Sequence, residues 1–93
     1  MHKEQEQLFQ LLAEKQALDV NTITLNSRLN EDLNIKPLST NSVELLFDVE
    51  QEFDIQIDNE EFLDVTTVKQ LLGLIKKKIT QRDSDEDEEA DDY

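Results

Sequence analysis

The chain's one proline, Pro37, stands just before four consecutive residues that favour helix starts: Ser39, Thr40, Asn41 and Ser42. An apolar and acidic run then continues to Phe53. Proline disfavours helical geometry at the residue before it, so a helix must begin after Lys36. Asn41 followed by Glu44 has the spacing of a capping box, in which two side chains reciprocally satisfy first-turn amides. Along the run, Val43, Leu46, Phe47, Glu50 and Phe53 trace one stripe, and Leu45 and Val49 lie on another. An apolar face this broad can feed a core and still leave apolar surface outside.

The rest of the chain supplies partners for that helix. Residues 3–17 read as a helix, because Leu8, Leu11, Leu12 and Lys15 recur at helical spacing and Phe9 and Ala13 widen the face. Between residues 18 and 38 the period is lost. Turn and cap formers such as Asn21, Thr24, Ser27, Asn30 and Asn34 alternate with Val20, Ile23, Leu25, Leu29, Leu33 and Ile35. That mixture predicts a loop packed over the core, with a short turn at 27–33. Asp58 with Glu61 opens a short helix over 59–63, and Thr67 with Gln70 opens another. The last helix carries Val68, Leu71, Leu72, Ile75 and Ile79 inward and places Lys76, Lys77 and Lys78 in its last turn, where cations favour the helix dipole. The expected fold is all-α: three longer helices and one short helix around Leu12, Val43, Leu46, Phe53, Val68, Leu71, Leu72 and Ile75. No internal repeat is visible.

Composition narrows the function. A chain of 93 residues is one small domain with little room for a deep catalytic cleft. It has no cysteine, so thiolate chemistry, disulfides and cysteine–metal sites are excluded. A single glycine, Gly73, excludes a glycine-rich phosphate loop, and no Ser-His-Asp or metal-ligand constellation exists. His2, the only histidine, sits at a terminus and reads as incidental. The formal charge of −14 repels nucleic acid and anionic membranes and favours partners that present Lys and Arg. Residues 83–93 hold eight acids and no base, leaving fifteen acids against nine bases, a net of −6, in residues 1–82. The division expected is a helical domain over 1–82 and an acidic, disordered tail over 83–93. Asp83, Asp85 and Asp87 imitate the start of a calcium loop, but Glu88 stands where the loop needs glycine. No run is long and apolar enough for a membrane span, and the N-terminal residues lack a signal-peptide pattern, so a cytoplasmic monomer is the expectation.

Three stretches together carry a resemblance. They are Asn30-Glu31-Asp32-Leu33, then Ser39 to Phe53 running into Asp54-Ile55-Gln56-Ile57-Asp58, then Val65-Thr66-Thr67-Val68. Over roughly residues 5–79 the chain resembles the acyl carrier proteins, small helical bundles whose second helix follows a serine bearing a phosphopantetheine arm. In that family the serine precedes Val-Glu-Leu by four residues and the phenylalanine of Glu-Phe-Asp by fourteen. Ser39 lies four residues before Val43 and fourteen before Phe53, whereas Ser42 misses that register by three. Where the family writes Asp-Ser-Leu, this chain writes Leu38-Ser39-Thr40. The stretch from Leu33 to Ser39 is also about two residues longer than the family's spacing.

Read from the residues alone, Ser39 fits a helix cap, Phe47 fits either a core position or an outside contact, and the acids fit a solvated face. The resemblance implies more. Ser39 would carry 4'-phosphopantetheine, taken from coenzyme A by a phosphopantetheinyl transferase. An acyl or related intermediate would ride on it as a thioester for fatty-acid, polyketide or similar biosynthesis. The chain would be a carrier substrate and not an enzyme. Glu44, Asp48, Glu50 and Gln51, with Asn41 where the family usually has another acid and Phe47 and Ile57 as apolar contacts, would meet the basic docking surfaces of acyl-loading and acyl-transfer enzymes. Two alternatives stand beside this: a carrier-like scaffold that is never modified and acts as an acidic protein-interaction module, and an unrelated acidic helical adaptor.

Overall fold

The computed structural model describes residues 3–91, with side chains through Arg82. Helix α1 spans Lys3–Gln16, α2 Thr40–Phe53, α3 Asn59–Leu63 and α4 Val68–Asp91, with a single 3-10 turn at Val20–Thr22. Three long helices, one short helix and no strand among the described residues make an all-α bundle. Four of these boundaries have a local cause. Ala17 adopts a left-handed φ of 55°, and the Leu18 amide reaches back to Ala13 O at 2.9 Å, which closes α1. Asp54 closes α2 in the same way, with φ 54° and the Ile55 amide on Glu50 O. Gln70 Oε1 accepts from the Thr66 and Thr67 amides while Thr67 Oγ1 accepts from the Gln70 amide, so the capping box read at α4 is present. Glu61 Oε1 likewise accepts from the Asp58 amide at the start of α3.

The core is continuous across all these elements. Leu8 and Leu12 of α1, Leu45 and Val49 of α2, and Val68, Leu71 and Ile75 of α4 are fully enclosed. The irregular segment adds Ile23, Leu29, Leu33 and Ile35, as its apolar content predicts. It is also tied down by its backbone. Ser27 O and Leu25 O accept the amides of Val68 and Lys69, two first-turn donors of α4 with no partner inside their own helix. The Leu29 amide returns to Thr66 O at 2.9 Å, beside an isolated bridge between Arg28 and Thr67.

Two expectations are corrected. Val43 is not in the core: it is 63% exposed, and the buried face of α2 is Ser42, Leu45, Leu46, Val49 and Phe53. The buried face combines Leu46 and Phe53 of one candidate stripe with Leu45 and Val49 of the other, so the helix is turned away from Val43 and Phe47. Lys76–Lys78 lie mid-helix, because the α4 backbone continues to Asp91. No glycine or proline follows Gly73 to stop it. The side chains of the acidic tail expected over 83–93 lie outside the described residues.

Candidate functional site

The N-terminus of α2 is built by a tight turn over Lys36–Ser39. The Ser39 amide donates to Lys36 O at 3.2 Å, with Pro37 in the turn's second position and Leu38, φ 62°, in the third. Proline presets the second position, and the positive φ matches a turn type that usually places glycine or asparagine third. Ser39 follows in extended geometry (φ −86°, ψ 168°) and is the N-cap of α2, so Asn41 is not. Its Oγ donates to Lys36 O at 2.6 Å and accepts from the Ser42 amide at 3.2 Å. Ser39 is half-buried at the surface end of the helix, whereas Ser42 is 5% exposed. Ser39 is thus the more exposed of the two serines.

Ser42 borders a cavity of about 170 Å³, walled by Leu29, Ile35, Pro37, Phe62 and Val65. Its small side chain on the buried face of α2 leaves room there between the irregular segment and α3.

Beyond the first turn, the acids of α2 are engaged with other elements. Lys15 of α1, its side chain 13% exposed, places Nζ 3.3 Å from Glu44 and 3.1 Å from Asp48. Burial draws the Lys15 pKa down, but the hydrogen bonds and charges of Asp48 and Glu44 outweigh it and hold the ammonium above its ordinary value. Glu50 Oε2 accepts from the Ile57 amide at 2.9 Å, which ties α2 to the connection before α3. Glu52 accepts from Gln7. Asn41 and Gln51 are exposed. Val43 and Phe47, four residues apart and so on one helix face, are 63% and 59% exposed.

The sequence has counterparts among known proteins. The chain is 33% identical over 73 residues to an acyl carrier protein of Chlorobium phaeobacteroides, a match that covers 78% of this chain and 91% of the relative. It is 34% identical over 76 residues to an acyl carrier protein of Rickettsia canadensis, covering 82% and 86% respectively. The chain belongs to the acyl carrier protein family. A third relative, from Rickettsia bellii, is 29% identical over 73 residues, 78% of this chain and 83% of its own. No family-wide sequence model matches.

Within that family frame, the residues singled out from sequence separate into groups. Ser39, Asn41, Glu44, Phe47, Asp48, Glu50 and Gln51 all lie on α2 or its cap. Ile57 does not join them: it is 5% exposed and packs in the core, so it offers little surface for a contact. Two features escaped the sequence reading. Lys15 falls at the helical spacing of the α1 apolar stripe, and its charge, where the stripe should end in a hydrophobe, is the sign of its pairing with Glu44 and Asp48. Leu38 registered only as a departure from the family triplet, but it is 79% exposed.

Proposed function

We propose that the chain is a carrier whose Ser39 Oγ bears 4'-phosphopantetheine. The observation that supports this reading most directly is the contrast between the two serines: the one in family register is only half-buried at a helix cap, and its imitator is buried. The residues fit such a group. Esterifying Ser39 Oγ removes the proton that it donates to Lys36 O, but Lys36 O keeps the Ser39 amide, so the turn retains its closing bond. The first-turn amides and the positive end of the α2 dipole suit a phosphodiester at this point. When bound, the arm supplies a terminal thiol that holds an acyl group as a thioester. The chain itself tethers, presents and releases; it raises the effective concentration of cargo at each partner and performs no catalysis. The rim acids of α2 and the exposed Val43 and Phe47 suit partners that combine basic and apolar surface, namely a phosphopantetheinyl transferase and acyl-loading or acyl-transfer enzymes of fatty-acid or polyketide synthesis. A monomer in the cytoplasm is part of the same proposal. No described helix is long and apolar enough to cross a membrane.

The test is intact mass after incubating the apo protein with coenzyme A and a broad-specificity phosphopantetheinyl transferase. Wild type and Ser42→Ala gain one phosphopantetheinyl group, and Ser39→Ala gains none. A gain that survives Ser39→Ala refutes the assignment.

One observation favours a second reading. The Ser39 hydroxyl is already spent as donor and acceptor within the turn, as a purely capping serine would be. In that case the chain is an unmodified acidic interaction module, and protein purified from its native source carries no added mass.

A further inference from the structure

We propose, resting on the carrier reading, that Leu38 is the specificity determinant of the Ser39 site. The enzyme that modifies Ser39 receives Leu38 in an apolar socket with a basic rim, in place of a cation that would pair with an aspartate.

Four described residues other than glycine have positive φ: Ala17, Asn34, Leu38 and Asp54. Asn and Asp are the types that tolerate this region, and Ala17 terminates a helix with only a methyl group. Leu38 is the one large apolar side chain among them. It is also 79% exposed, the most exposed large hydrophobic residue described. Leucine therefore carries two penalties here, a strained backbone and apolar surface left in water, where asparagine or glycine would carry neither. Strain retained without internal compensation points to a role outside the fold.

Position supplies that role. Consecutive Cα atoms are about 3.8 Å apart, so an enzyme whose active site reaches Ser39 Oγ must cover Leu38 as well. Pro37 fixes the turn and so fixes where the leucine projects. The occupant's chemistry follows from the surroundings. Val43 and Phe47 add exposed apolar side chains on the first three turns of α2, and Glu44 and Asp48 follow each of them in sequence. Because Lys15 holds both acids, their charge is partly neutralised before any partner arrives. An apolar socket contributes the affinity, and a basic rim supplies orientation.

The experiment compares loading of apo protein with coenzyme A by a dialysed extract of the source organism and by a broad-specificity transferase. Transfer joins Ser39 Oγ to the phosphorus of the pantetheine phosphate, breaks that phosphorus's bond to adenosine 3',5'-bisphosphate, and releases the serine proton to solvent. Leu38→Met keeps an apolar side chain, and loading by the extract stays within about twofold. Leu38→Asn, which suits the left-handed turn, loses about ten- to a hundredfold in kcat/KM with the extract, the worth of burying one leucine side chain. Its melting temperature is unchanged or higher, which separates recognition from folding. Ser39→Ala protein, which cannot be loaded, inhibits loading of wild type by the extract. The Ser39→Ala/Leu38→Asn double variant inhibits at least tenfold less well. Equal loading of Leu38→Asn and wild type by the extract overturns the Leu38 assignment and leaves the carrier reading intact. No loading of wild type by either source overturns both.

Discussion

Replacing Lys15 with methionine isolates the ion pairs that join α1 to α2. The lysine stem is enclosed, and methionine fills a similar volume, so what is removed is one cation between Glu44 and Asp48. The carboxylates are 57% and 40% exposed, which places each contact near the worth of a surface pair, about 0.2–1 kcal/mol. Without the cation, Glu44 and Asp48 repel each other four residues apart on one helix, at a further cost of about 0.2–0.5 kcal/mol. Methionine returns part of this, because burying the ammonium was itself unfavourable. The expected net loss is about 1 kcal/mol, a fall of roughly 4–8 °C in Tm for a domain this small. Far-ultraviolet circular dichroism melts at low and high salt provide the assay. The gap narrows at high salt, because partly exposed pairs are screened. Its pH dependence has a definite sign. The folded Lys15 pKa is raised, so the stabilisation is complete below the ordinary lysine value of about 10.4 and is lost only as pH rises through the raised one. An unchanged Tm, or a loss indifferent to salt, would refute the electrostatic account. The same variant releases two acids to solvent, so capture by a partner with a basic surface becomes faster and more salt-sensitive.

Other outcomes follow from the same contacts. Lys78, and after it the Asp58 amide, hold Glu61 below the usual carboxylate range, so this pair stabilises the fold above about pH 4.3 and fades as pH falls through the lowered pKa; Glu61→Gln removes that part of the acid sensitivity in pH-dependent melts. Leu45→Ala, at a fully buried position, costs about 2–5 kcal/mol in urea unfolding, while Val43→Ala, at 63% exposure, stays within about 0.5 kcal/mol. Truncation after Arg82 removes eight acids and leaves the Tm unchanged or slightly higher; a large drop would show that residues 83–93 dock on the domain.

Local chemistry made much of this fold legible. Caps and turn formers announce α3 and α4, and regular apolar residues between 18 and 38 announce a segment that packs, because these signals act within a few residues of one another. The rotation of α2 was not legible. Val43, Leu46, Phe47 and Phe53 form one apolar stripe and Leu45 and Val49 another, and the partners that decide between them are remote in sequence. Lys15 fixes Glu44 and Asp48 toward α1, and the small Ser42 faces the cavity that Pro37 and Phe62 also line. With those contacts made, Val43 and Phe47 have only the outside to face.

The same distinction governs how the site is read. Acids in a row on α2 look from sequence like a free anionic docking surface. In the folded chain Glu44 and Asp48 hold Lys15, Glu50 holds the Ile57 amide, and Glu52 meets Gln7. Charge-reversal at Glu44 or Glu50 therefore perturbs the fold and the docking surface together. A loss of partner activity in such a variant would not by itself locate the interface. Val43→Ser and Phe47→Ser are cleaner probes, because both side chains are exposed and their replacement leaves those internal contacts in place. If docking relies on apolar contact, these changes slow arm loading and acyl transfer at constant Tm, and the loss persists at high salt, where an interface built on the acids would already have weakened.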